Sequence, residues 1–226
     1  MINFMIVDAG IELVPTKIAR HPAIIKSARR KRKKPEEVLL DISLHYPAMK
    51  KLGDFEKRGR PDIVHFLLLL LLDSVLNKHR RLGIYVYTIG KKIIRISPET
   101  RLPRNYNRFV GLMEQLLVQG CVPQDLNKPL LEILDFSLHD FVKKRGFSKI
   151  YLLDEKGEQI LASNLSKRVV YDKNPLIMVG GFQRGEFSSE VRNIADYTYS
   201  IYKEPLQAWC VLCKLLTVIE EELGIW

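Results

Sequence analysis

The chain has 226 residues, of which 46% are hydrophobic, 27% charged and 9% aromatic. That profile excludes a disulfide-stapled mini-scaffold and a disordered chain, and predicts one large domain with a core of its own. Lys and Arg number 36 against 26 Asp and Glu, and they are unevenly placed, with 23 basic and 10 acidic residues up to position 108 and 13 and 16 beyond it. A basic field over half a chain draws polyanions, nucleic acid first and anionic lipid as the rival, with a solubilising surface as the bland alternative.

Three cysteines and no apolar leader ahead of Met1 predict a reducing compartment, the cytosol. The most apolar stretch, Phe66–Leu72, is seven residues long, far below the roughly 20 that cross a bilayer, so no transmembrane segment is expected.

Met1–Val7 reads as a buried strand that turns at Asp8-Ala9-Gly10. From Lys17 to Lys34 there are nine basic residues and no acidic one, and Arg29–Lys34 is unbroken. That block suits a helix or a mobile arm, and phosphate contact, a nuclear address or plain solvation. Pro35 followed by Glu36-Glu37-Val38 looks like a helix start, with carboxylates at the positive end of the dipole. Pro61 at a first helical position and Asp62 in the first turn predict a buried helix through the leucine run.

Gly83–Thr88 and Lys92–Ile96 read as a hairpin about Gly90. Residues 46–108 are long enough to be a basic α/β insertion facing a polyanion, with that hairpin and its loops as the exposed part. The spacing Phe109, Leu112, Met113, Leu116, Leu117 predicts a helix closed by Gly120, and Ser137–Arg145 a second ended by Gly146. Ile150–Leu153 and Pro175–Val179 have buried-strand length, and a last helix is expected over 206–223.

Three constellations carry chemistry. Val179-Gly180-Gly181-Phe182-Gln183-Arg184-Gly185-Glu186 places three glycines after a strand, which lets a ligand approach the backbone. Phe182 breaks the dinucleotide fingerprint, and Glu186-Phe187 stands where a phosphate loop needs Lys-Ser/Thr. A ligand without phosphates fits better, such as S-adenosylmethionine, and a plain glycine turn is the alternative. Arg60 with Asp62 is either a helix-start carboxylate beside an arginine or a guanidinium held rigid for phosphate or base. Arg101, Arg104 and Arg108 suit a phosphate track, with the last two on one face if a helix begins near Pro103.

Cys210-Val-Leu-Cys213 lies in an apolar helical pattern and predicts core packing. The five histidines form no paired ligand spacing, so no metal site is expected.

Four linked motifs then resemble a known family: Arg60-Pro61-Asp62-Ile63-Val64-His65, the Leu-Leu-Asp73-Ser74 after it, Val179-Gly180-Gly181-x-x-x-Gly185, and Pro205-Leu206-x-Ala208. They are similar, in order, to the small-subunit ribosomal RNA pseudouridine N1-methyltransferases of the SPOUT superfamily, the nucleolar-essential, ribosome-biogenesis type. The resemblance implies an α/β fold with a C-terminal trefoil knot, a homodimer, and S-adenosylmethionine held by Gly180, Gly185 and Ile201, Tyr202, Lys203, Glu204, Pro205 and Leu206. It implies that Arg60, Arg101, Arg104 and Arg108 contact ribosomal RNA while Asp62 steadies Arg60, and in a eukaryote a nucleolar location. Gln207 departs from the family's serine, and the segment 200–208 has extra residues. The reaction so implied is methyl transfer to N1 of a pseudouridine in an unstacked base, with Arg60 favouring the anion and Asp62 as a candidate proton acceptor. A non-catalytic RNA-binding ribosome-assembly factor is the alternative.

Overall fold

The computed structural model describes residues 1–125 and 128–225. The chain opens with strand β1 (Ile2–Ala9), then helices α1 (Pro22–Lys31), α2 (Ile42–Met49), α3 (Pro61–Asp73) and the single turn α4 (Val75–Lys78). Strands β2 (Leu82–Thr88) and β3 (Ile93–Ile96) lead to α5 (Tyr106–Gln119), β4 (Cys121–Val122), β5 (Leu131–Leu134) and α6 (Leu138–Arg145). The rest runs β6 (Ile150–Gln159), α7 (Ala162–Tyr171), β7 (Leu176–Gly180), α8 (Ser189–Ile194), β8 (Tyr197–Ser200) and α9 (Ala208–Glu222).

Among the described residues eight strands form one mixed sheet, in the order β4-β5-β3-β2-β1-β7-β6-β8. β1 lies between β2 and β7, parallel to both, and β6 lies between β7 and β8, again parallel. Strands buried on both faces need no polar alternation, which is why Met1–Val7 is apolar except for Asn3, whose buried amide donates to Asn174 and to Pro175 O. Phe4 and Ile6 of β1 face α3, α5, α7 and α9 through Leu67, Phe109, Leu165 and Leu215. Met5 and Val7 face the other way, toward Phe141 of α6 and Val191 of α8. The result is an α/β fold of helices on both faces of a mixed sheet. A third, small core of Val14, Ile18, Ile24, Ala28, Val38, Leu40 and Met49 packs α1 on α2.

Local signals account for most boundaries. Pro61 opens α3 as expected, and Asn105 caps α5 by accepting from Arg108 N at 3.1 Å. Gly120 and Gly146 end α5 and α6 in left-handed conformations.

Four expectations need correction. Residues 35–37 form one 3-10 turn and no longer helix, because Val38–Leu40 are taken up as extended chain: Val14 N donates to Val38 O and Leu40 N to Glu12 O, both at 2.9 Å. The strands of the hairpin 83–96 belong to the main sheet, with every residue of β2 covered because β2 pairs with β1, and only the turn 90–92 is exposed. Arg104 and Arg108 do not share a helix face, since the helix starts at Tyr106 and Arg104 precedes its cap. Cys213 is exposed and Cys210 half-buried, because the buried stripe of α9 is Leu212, Leu215, Leu216 and Ile219. No helix among the described residues is long and apolar enough to cross a membrane.

Candidate binding cleft and its arginine flank

A cleft of about 610 Å³ opens at the C-terminal ends of β7 and β8, beside the irregular middle of β6; the C-terminal ends of parallel strands are where α/β sheets place their ligands. One wall is the loop that leaves β7, from Gly180 through Phe187. The opposite wall is the segment between β8 and α9, with Ile201, Tyr202, Glu204, Pro205 and Leu206, and Leu153–Lys156 closes one side. Gly180 and Gly185 therefore line the same cleft as Ile201, Tyr202, Glu204, Pro205 and Leu206. Lys203 is not among the lining residues; it is exposed, with its ammonium 3.9 Å from Glu204.

The glycine loop sits against the turn after β1. Gly181 N donates to Val7 O at 2.8 Å, and Gly10 N donates to Gly181 O at 2.9 Å. A Cβ at Gly181 would fall 2.6 Å from Ile6 Cγ2 and 2.9 Å from Ala9 Cα, so the two chains meet this closely only through a glycine. Gly185 has φ +117°, a conformation that L side chains rarely adopt. The loop is tied at its far end by Asp8: one carboxylate oxygen accepts from Ser188 N at 2.6 Å and the other from Ser188 Oγ at 2.8 Å. Lys57 Nζ lies 3.5 Å from the same carboxylate and 5.0 Å from the centre of the Phe182 ring. Asp8 is itself in the left-handed region, with φ +48°, which a short polar side chain tolerates.

Electrostatically the cleft is close to neutral. Asp154, Glu155, Glu186 and Glu204 line it with Lys156, Arg184 and Arg192. Glu186 is paired with Lys156 and accepts from Arg192 at 2.9 Å, and the Lys156 hydrogen bond holds its carboxyl below the usual range. No lysine-hydroxyl pair follows the glycines to cradle a polyphosphate. Val179, Phe182, Phe187, Ile201, Leu206 and Val211 supply apolar surface. Exposed backbone, apolar walls and a balanced set of charges suit a nucleoside with a cationic tail, as S-adenosylmethionine is.

Arg60 stands one chain thickness away. Its amide donates to Gly10 O at 3.0 Å, so Gly10 bridges Arg60 and the glycine loop. The guanidinium is held by Asp62 in a two-pronged pair, Nε to Oδ1 at 2.8 Å and Nη2 to Oδ2 at 2.6 Å. Asp62 thus grips Arg60 and at the same time places a carboxylate in the first turn of α3, against the amides of Asp62 and Ile63, while Arg60 itself occupies the cap position. Partial burial works to raise the Asp62 pKa, but the Arg60 guanidinium together with the Asp62 and Ile63 amides outweighs it and leaves the carboxyl below its ordinary value. A carboxylate with both oxygens engaged and a depressed pKa is a holder of Arg60 and a poor proton acceptor.

Arg101, Arg104 and Arg108 are all exposed, and Arg104 reaches within 3.8 Å of Asp73. Their segment is tied to α3 by His65, whose Nε2 is 2.7 Å from Pro103 O and whose ring stacks on Phe109 at 4.2 Å. Tyr106 adds a second tie, donating its hydroxyl to Asp41 at 2.6 Å. Burial, and then that bond, raise the Tyr106 pKa, so the phenol keeps its proton.

Sequence reasoning overlooked Asp8, Lys57 and Ser188, which carry no motif, and Asp154–Lys156 of the cleft wall. These last lie at a break in register, where Leu153 and then Glu158 both pair with Tyr199. The run Asp154-Glu155-Lys156-Gly157 was the available signal, a polar stretch inside a strand. Among the described residues no group of three or more His, Cys, Asp or Glu is placed to hold a metal ion.

The chain is 48% identical over 224 residues to the ribosomal RNA small subunit methyltransferase Nep1 of Staphylothermus marinus, covering 99% of this chain and 97% of that one. It is 43% identical to the protein of the same name from Thermococcus kodakarensis, over the full length of both. The crystal structure of Archaeoglobus fulgidus Nep1 bound to S-adenosylhomocysteine superposes with a TM-score of 0.87 at 40% identity, covering 98% of each chain. Residues 4–220 match the family described as EMG1/NEP1 methyltransferase, and the chain belongs to that family.

Proposed function

We propose that this protein is an S-adenosylmethionine-dependent methyltransferase of small-subunit ribosomal RNA, acting on N1 of a pseudouridine. The observation that carries the reading is the joining, through Gly10, of a near-neutral glycine-walled cleft to an arginine clamped by a carboxylate. The names of the relatives, and the S-adenosylhomocysteine in the Archaeoglobus protein, support the same donor and the same class of RNA.

The methyl group of S-adenosylmethionine is already activated by its sulfonium, so the protein's work is alignment and charge. Backbone of 180–187 and of 201–206 holds the donor, and the apolar walls keep water from it. The acceptor nitrogen must lose a proton. Arg60, fixed by Asp62, places a permanent positive charge where the anion of the base develops. Arg101, Arg104 and Arg108 hold the RNA backbone beside it, which makes the exposed parts of 46–108 the RNA-facing stretch of a single 226-residue domain. A trefoil knot in the C-terminal part, a homodimer and a cytoplasmic location, nucleolar in a eukaryote, belong to the same reading.

Incubation with labelled S-adenosylmethionine and short RNA hairpins containing either uridine or pseudouridine tests the proposal. Label should enter only the pseudouridine RNA. RNA binding that ignores the donor, with no label in either hairpin, would instead identify an assembly factor without catalysis.

A further inference from the structure

The basic block 29–34 is not a mobile arm. Residues 29–31 are the last turn of α1, Arg32 is its cap in the left-handed conformation at φ +54°, and Lys33 and Lys34 follow it, with Lys33 N donating to Ala28 O at 3.1 Å. Its orientation is imposed by a buried carboxylate on another element. Glu114 of α5, 2% exposed, accepts from Lys31 at 2.5 Å, Lys33 at 2.8 Å and Leu39 N at 3.0 Å. Burial raises the Glu114 pKa, and the two ammonium groups more than offset it, so the carboxyl stays below its ordinary value. With Lys31 and Lys33 engaged by Glu114, Arg29, Arg30, Arg32 and Lys34 remain as exposed cations together with Lys26. Among the described residues none of these five is in an ion pair.

The block is next to the arginine flank. The segment from Leu39 to Ile42 touches Glu114 at one end, and at the other Ile42 N donates to Gly59 O at 2.8 Å, one residue before Arg60. Three residues of chain span at most about 10 Å. Arg108 precedes Glu114 by six residues on the same helix, about 9 Å along its axis. We propose that the exposed cations of residues 26–34 form a second phosphate-binding face, continuous with the Arg60 and Arg108 flank, which grips RNA beyond the target nucleotide. The proposal rests on the RNA reading above and extends it.

Two blander roles fit less well. Cations in the last turn of a helix complement its dipole, but the gain is about 0.3–1 kcal/mol each and fades within that turn, so it does not account for a run of six. A membrane surface needs a free apolar helix face, whereas Ile24 and Ala28 of α1 are spent on the small core.

The test compares the parent protein with the triple variant Arg30→Ala, Arg32→Ala, Lys34→Ala. Two RNAs are used: a minimal pseudouridine hairpin and the same hairpin with extended flanks. Removing about three phosphate contacts should flatten the slope of log affinity against log salt by about 2 on the long RNA. Over a fourfold rise in salt the parent then loses about 20-fold more affinity than the variant. The short hairpin should bind within about twofold of the parent, and calorimetric affinity for S-adenosylmethionine should not change. An unchanged salt slope on the long RNA overturns the proposal, and so does equal weakening on both RNAs. Loss of binding to phosphatidylserine vesicles with RNA binding intact would assign the face to membranes and overturn it as well. A parent protein that binds neither RNA would refute the functional reading itself, a result distinct from all of these.

Discussion

Asp8 lines no part of the cleft, yet replacing it should disorder one wall. Its carboxylate is 4% exposed, accepts two hydrogen bonds from Ser188 and faces the Lys57 ammonium. A hydrogen bond to a charged group contributes about 1.5–3 kcal/mol. Asp8→Ala removes two of them and leaves the Ser188 groups and Lys57 without their partner, a loss of about 3–6 kcal/mol that is large against a total stability of about 5–15 kcal/mol. Asp8→Asn is the cleaner perturbation, because asparagine tolerates the left-handed backbone and its amide oxygen still accepts one bond. Its cost is then one charged hydrogen bond, about 1.5–3 kcal/mol, or about 3–12 °C in Tm for a chain of this size. Because the same bonds tie the glycine loop to β1, part of that energy should reappear in ligand affinity. Calorimetry with S-adenosylhomocysteine should show binding weakened about tenfold or more, equivalent to about 1.4 kcal/mol. Ser188→Ala should give a similar loss, and the double variant less than the sum of the two, since both remove one interaction. An Asp8→Asn protein that melts and binds like the parent would refute the account of the loop.

Arg60→Ala should lower RNA affinity and methyl incorporation while donor affinity stays as in the parent. Arg60→Lys should not restore them, because an ammonium cannot reproduce the two-pronged pair with Asp62; gel shift and incorporation assays decide this. Gly181→Ala pushes a methyl group against Ile6 and the Ala9 backbone, and should cost about 1–3 kcal/mol, measured by denaturant unfolding. Glu12 has its pKa raised to about 7 by burial, opposed by Arg58. The native state therefore holds that proton between about pH 4.5 and pH 7 while the unfolded chain does not. Its contribution is full below the unfolded value and is lost as pH rises to 7, about 3 kcal/mol in all. Glu12→Gln should shrink the difference in stability between pH 5 and pH 8, and an undiminished difference would show that Glu12 is not its source.

Where the chain's own neighbours decide a conformation, the amino-acid sequence was sufficient. Pro61 starts α3 because proline presets φ and needs no amide donor there, and Asn105 and Gly120 bound α5 by capping and by left-handed backbone. The glycine run after β7 and the nearness of Arg60 to Asp62 could be located from spacing and a strand end, whereas the turn-or-ligand and cap-or-clamp alternatives stayed open in the sequence. Tertiary structure decided everything that depends on which segments become adjacent. Val38–Leu40 carry a helix-start signal and yet lie extended, because they bond to residues 12–14. The buried hairpin strands, the exposed Cys213 and the polar wall Asp154–Lys156 follow from strand order and from which stripe of α9 meets the sheet. Asp8 and Ser188 are 180 positions apart, Lys31 and Glu114 83 apart. Periodicity and propensity carry information over a few residues only, whereas Asp8 meets Ser188 because β1 pairs with β7 in the middle of the sheet, and Lys31 meets Glu114 because the end of α1 lies against α5.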